Sequence, residues 1–160
     1  MTSKYEQALA RIDDAHNEDP NIVFVDCSEV PYELHYANKM TKYLEQDKPS
    51  ASEILRLASN LVEEICRSCG YDSDEAERAA ALVRKDNMER DEECQVLEDV
   101  ACLVFLDDQF EKFEREHDEE KIVGILKKTW AKMSEKGHEL ALQIEMSERA
   151  KGLIMKALSS

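Results

Sequence analysis

Gln95-Val-Leu-Glu-Asp-Val-Ala-Cys-Leu-Val-Phe-Leu106 decides how this chain is to be folded. Val100 to Leu106 is an unbroken run of seven apolar residues. At about 100° per residue such a run covers every direction around a helix axis. A helix that is apolar all round must be enclosed by its neighbours, which places this one at the centre of the fold. Two carboxylates, Glu98 and Asp99, sit immediately before the run. On the helical wheel Asp99 falls between Leu106 and the Leu103/Phe110 direction, a face that should be buried. A buried carboxylate needs a cation, a metal or hydrogen-bond donors to offset its desolvation.

Outward from that helix the pattern stays helical. The first helix is expected over Tyr5–Ala15 and is broken by Asn17-Glu-Asp-Pro-Asn21. Ile22-Val-Phe-Val25 has no obvious partner run and is read as a packed loop rather than part of a sheet. Pro31 opens a helix from Tyr32 to Gln46, and Ser50-Ala-Ser-Glu53 has the capping-box pattern for the next. That helix should reach about Cys69 and stop at Gly70 as a C′ glycine. Asp72-Ser-Asp-Glu75 starts a fourth, through Val83. The central helix spans Glu93 to Glu116, His117-Asp118 breaks it, and a further helix carries Ile122, Ile125, Leu126 and Trp130. One or two short helices follow Gly137, through Leu140 and then Leu153, Ile154 and Leu158. The expectation is an all-α, single-domain bundle over residues 1–160, with about seven helices around the buried one.

The totals agree with helices and bound the function. The chain has 160 residues with only 4 Gly and 3 Pro. Acidic residues outnumber basic ones 36 to 21, a net charge of −15. That sign repels phosphate backbones and anionic lipid, so no nucleic-acid partner and no membrane surface is expected. No apolar run is long enough to span a bilayer, and the N-terminus lacks the apolar core of a signal peptide. Five cysteines without such a signal point to reduced thiols in the cytoplasm.

Several constellations invite chemistry. Glu98 and Asp99 are read either as metal ligands or a general base, or as complements to a helix N-terminus and partners for neighbouring cations. Cys66-Arg-Ser-Cys69 lacks the second tight knuckle of a structural zinc site, since Cys94 and Cys102 lie eight apart. Its cysteines are read as ordinary reduced thiols. His117-Asp118 matches the dipeptide of metal-dependent phosphohydrolases, but it lies about 27 Å beyond Asp99 along a straight helix. A junction histidine followed by a capping aspartate accounts for it better. Lys132-Met-Ser-Glu-Lys136 resembles the KMSKS signature of class I aminoacyl-tRNA synthetases without the His-x-Gly-His turn or the βα pattern that signature serves. It is read as coincidence.

Taken together, Gln95–Leu106, His117-Asp-Glu-Glu-Lys121 and Lys128-Thr-Trp-Ala-Lys-Met-Ser-Glu-Lys-Gly-His138 resemble the domain of unknown function family 4202. Ala10-Arg-Ile-Asp13, Asn17-Glu-Asp-Pro20, Pro31-Tyr-Glu-Leu-His-Tyr36, Lys39-Met-Thr41 and Leu82-Val-Arg-Lys85 extend the resemblance upstream. It implies a small helical protein of unestablished activity. The family pattern continues the third helix into a segment with a histidine, an Arg-Trp pair and a Pro-Arg, whereas this chain runs from Leu57-Ala-Ser-Asn60 straight into Leu61-Val-Glu-Glu-Ile65. A histidine there, facing Glu98 and Asp99, would complete a metal site like that of the phosphohydrolases; here only His35 stands in for it. Two functions follow as expectations. One is a crippled or non-catalytic binding or scaffold protein. The other is a hydrolase of a phosphorylated small molecule with a divalent metal on Glu98, Asp99 and His35. Loss of about thirty residues beside an apolar helix would bare part of its surface and favour marginal stability, a homodimer or a protein partner.

Overall fold

A computed structural model describes residues 2–59, 70–83 and 92–159, with backbone alone at Ser73 and Val83. The chain divides into two compact units, Met1–Leu97 and Glu98–Ser160. Apart from one hairpin, the described residues outside loops are helical, and the fold is all-α.

In the first unit α1 (Lys4–Asn17) opens with a capping box. The Ser3 hydroxyl accepts the Glu6 N–H, and the Glu6 carboxylate accepts the Ser3 N–H. Its Ala8 and Ile12 join Leu57 and Tyr71 in one apolar cluster. The chain then forms β1 (Ile22–Val25) and β2 (Ser28–Pro31), an antiparallel pair in the register Ile22↔Pro31, Val23↔Val30, Phe24↔Glu29 and Val25↔Ser28. The loop expected at Ile22–Val25 is therefore a strand. Its partner lies only two residues further on, because Asp26 and Cys27 both take left-handed dihedrals (φ 49° and 65°) and close a tight primed-type turn.

α2 (Tyr32–Asp47) begins at Pro31, which supplies no side-chain cap. Asp19 does this from a distance: its carboxylate accepts the Glu33 N–H at 3.0 Å, and the Asn21 N–H and side-chain amide at 3.0 and 2.9 Å. α3 (Glu53–Ala58) is capped by Ser52, whose hydroxyl accepts the Leu55 N–H at 3.1 Å, two residues later than the Ser50 start expected. Gly70 has φ +92°, a left-handed conformation that favours glycine. The Cys66/Cys69 pair and the end of the third helix lie outside the described residues. α4 (Ser73–Val83) starts with reciprocal Asp72 and Glu75 bonds.

α5 (Glu92–Val104) carries the apolar run into the second unit. Val100, Cys102, Leu103, Val104 and Leu106 are buried, and Ala101 and Phe105 half-buried, as an all-round apolar helix requires. A π turn over Phe105–Gln109 joins it to α6 (Phe110–Glu116), so the helix runs unbroken from Glu92 to Glu116. The wider turn sets Phe105 edge-on to Phe110 at 6.1 Å and to Phe113 at 5.8 Å. Asp118 caps α7 (Glu119–Lys132), accepting the Lys121 N–H at 2.9 Å. α8 (Glu135–Ala141) and α9 (Glu148–Leu158) follow, capped by Ser134 and Ser147. Gly137, expected as a break, lies inside α8; the break falls at Met133-Ser134 instead. α7 packs along α9, burying Ile122, Leu126, Leu153 and Ala157.

Candidate functional site

The middle of the buried helix α5 and the α7–α8 turn come together at a polar site in the second unit. Glu98 and Asp99, adjacent on α5, are 3% and 1% exposed, so the buried face read from the wheel is real. What meets Asp99 there is the start of α8. The Ser134 N–H donates to Asp99 Oδ1 at 2.8 Å, and the Ser134 hydroxyl donates to Oδ2. The same hydroxyl oxygen accepts the Gly137 N–H at 3.2 Å as the N-cap bond of α8. Ser134 thus spends its donors on the carboxylate and its acceptor on the helix end.

The approach is close enough to restrict position 137. A Cβ built on Gly137 would lie 2.8 Å from Asp99 Cγ, 2.9 Å from Oδ1 and 3.1 Å from Oδ2. Only glycine fits with the carboxylate where it is. Glu98 faces the other arm of the turn, where the Lys132 ammonium stands 3.8 Å from its Oε1. Met133 is buried between the two helices, and its N–H bonds the Trp130 carbonyl at 3.2 Å. His138 returns to the same carbonyl: its Nε2 donates to Trp130 O at 2.8 Å, and its ring stacks on the indole at 4.2 Å and 3°. A carbonyl only accepts, so Nε2 carries the proton. Lys132 to His138 therefore makes a tight helix-to-helix turn held to α5 by the Asp99 carboxylate, with Lys132 facing Glu98. In this chain the KMSKS-like stretch is an N-cap and its anchor.

The other singled-out residues have local tasks. His117 Nδ1 donates to the Phe113 carbonyl at 2.9 Å with its ring stacked on Phe113 at 4.2 Å, and Asp118 caps α7, so His117-Asp118 is the junction and cap expected. Cys94 and Cys102 are buried thiols outside any disulfide, and the Cys102 Sγ lies 4.0 Å from the Thr129 carbonyl. His35 is half-buried on α2 of the first unit, whereas Glu98 and Asp99 belong to the second. Among the described residues no group of three or more His, Cys, Asp or Glu side chains is gathered to hold a metal ion. Ser134 and Gly137 are the site residues that the sequence reading missed. The available signal was a serine followed by helix formers directly after the apolar face of α7 had ended.

No curated protein and no solved structure matches the chain. The family model described as Domain of unknown function (DUF4202) matches it in two pieces, residues 6–61 and 58–154. Between them the pieces take in both units and the whole α5–α8 site. The chain belongs to that family.

Proposed function

We propose that this chain is a non-catalytic binding or scaffold domain in which the carboxylates midway along the buried helix hold the fold together. One observation carries the reading: both Asp99 oxygens accept hydrogen bonds from Ser134, and α8 approaches that carboxylate too closely to admit even a methyl group. A metal ion bound from that side would have to displace the cap of α8. The two-piece family match, meeting at residues 58–61, supports a chain that omits a family segment there. With that segment goes the histidine that the resemblance sets against the Glu-Asp pair. The charge of −15 supports a protein that avoids nucleic acid, and no helix among the described residues is long and apolar enough to cross a membrane. A protein partner or a second copy is the expected ligand class.

A second reading draws on the burial of Glu98 and Asp99 together, a setting in which acidic side chains often serve metals. It is a phosphohydrolase-like enzyme acting on a phosphorylated small molecule, with a divalent metal on Glu98, Asp99 and His35. Thermal melts with and without Mn²⁺, Mg²⁺ and Zn²⁺, run beside Asp99→Ala, separate the two. The binding reading expects no metal-dependent rise and a lower melting temperature for Asp99→Ala. A rise of several degrees that Asp99→Ala abolishes would overturn it in favour of the hydrolase.

A further inference from the structure

The β1–β2 hairpin carries the largest exposed aromatic of the described chain. Phe24 is 74% exposed and Ile22, two residues earlier on the same face, is 48% exposed. Val23, Val25 and Val30 point the other way and are half-buried. The Asn21 carbonyl accepts the Tyr32 N–H at 2.7 Å. Together with the two-residue turn, this fixes the ladder: Val25, Val23 and Asn21 exchange bonds with β2. By alternation the N–H and C=O groups of Ile22 and Phe24 point off the outer edge of β1. Among the described residues no hydrogen bond reaches them from outside the hairpin. Ile22–Val25 has no charge, proline or bulge to blunt that edge, whereas β2 ends in Pro31.

The chain leading into and out of the hairpin carries formal charge of one sign. From Ile12 to Asn38 the chain has no Lys or Arg, while Asp13, Asp14, Glu18, Asp19, Asp26, Glu29 and Glu33 all fall within it. Glu29 is the direct cross-strand partner of Phe24 and shares its face. Glu18, Asp26, Glu29 and Glu33 take part in no ion pair among the described residues. An open strand edge, an exposed ring and uncompensated carboxylates together select a cationic strand. Its main chain would complete the edge, and a Lys or Arg on its outer face would lie over Phe24 and beside Glu29. A second copy of this chain would instead set acidic edge against acidic edge.

We propose that the outer edge of β1 docks an extended, Lys- or Arg-bearing peptide segment as a third strand of the sheet. This names a partner class for the binding role, yet it is tested apart from it. A metal-induced melting shift would overturn that role and leave this edge untouched; failure of the peptide below would do the reverse.

The probe is a short fluorescein-labelled peptide in which lysine alternates with valine, titrated with the full chain and read by anisotropy. Its controls are the glutamate-for-lysine peptide and a copy N-methylated at every second residue, which keeps the charge and removes the edge hydrogen bonds. Expected are saturable binding of the lysine peptide that weakens with salt, no binding of either control, and a loss of about tenfold or more for Phe24→Ser and for Glu29→Lys. Both side chains are solvent-exposed, so circular dichroism of each variant should match the parent. No saturable binding, equal binding of the glutamate peptide, or indifference to both substitutions would overturn the proposal. So would a dimer in sedimentation that Phe24→Ser dissolves, since a second copy would then own the edge.

Discussion

Replacing Gly137 by alanine should destabilise the protein, although the same change elsewhere in its helices should do the opposite. In a helix interior alanine is favoured over glycine by up to about 1 kcal/mol. At position 137 the new methyl carbon would stand 2.8 Å from Asp99 Cγ and 2.9 Å from Oδ1. Ordinary carbon contacts are about 3.5–4.0 Å, so the carboxylate must retreat by roughly half an ångström or more. Asp99 has no loose end to give, because Ser134 holds both of its oxygens. Overpacking of this kind costs about 1–3 kcal/mol, and a hydrogen bond to a charged group is worth about 1.5–3 kcal/mol. Set against the helix gain, the net loss is about 2 kcal/mol, or a fall of about 4–8 °C in Tm for a chain of this size.

Gly124 on α7 and Gly152 on α9 are the controls, since a Cβ at either meets nothing within 4 Å. Gly124→Ala and Gly152→Ala should each raise stability by up to about 1 kcal/mol. Urea unfolding followed by circular dichroism on all three variants reads the signs directly. If Gly137→Ala gains stability along with the other two, the close approach of Asp99 is wrong.

Ser134→Ala removes a helix cap and one donor to a buried carboxylate, and should cost about 2 kcal/mol in the same urea assay; an unchanged midpoint would contradict the clasp. Arg149 lies 3.5 Å from the buried Glu114, but is itself 63% exposed on its side chain. Arg149→Ala should therefore cost only about 1 kcal/mol after solvent screening, and Glu114→Gln in the same background should recover most of it. Asp19 is held below the usual carboxylate range, first by the Asn21 N–H and then, against the opposing effect of burial, by the Glu33 N–H. A carboxyl group depressed in the folded state stabilises above its unfolded pKa, near 3.9, and loses that contribution as pH falls through its folded value. Wild type should thus exceed Asp19→Asn in stability at neutral pH, with the gap closing as the pH drops below about 4. A gap that persists or widens in acid would refute the cap on α2.

The fold class was legible because the decisive signals were local. Seven apolar residues in a row leave a helix no solvent face, and Asp118 after a junction histidine marks a helix start from chemistry alone. The hairpin was hidden for a physical reason. Primed turns are recognised by Asn-Gly or Asp-Gly, and here Asp26-Cys27 makes the turn with two non-glycine residues at positive φ. Asp19 read as part of a break, because its partner amide at Glu33 is a long-range contact that no local pattern reports. The candidate site divides along the same line. Burial of Asp99 followed from the wheel, and with it the need for a cation, a metal or donors; the wheel did not choose among them. That those donors belong to Ser134, thirty-five residues later, depends on how α5 meets α8. Gly137 read as a helix breaker for the same reason, since its missing side chain is explained by a carboxylate on another helix.

Whether the buried carboxylate serves the fold is tested most directly by a double-mutant cycle between Asp99→Ala and Ser134→Ala. Stability is measured by urea unfolding for the parent, both single variants and the pair, each with and without Mn²⁺. A structural clasp predicts a coupling energy of about 1–3 kcal/mol that is the same with and without the ion. Additive losses, or a stabilisation by Mn²⁺ that vanishes with Asp99 and survives Ser134→Ala, would contradict it.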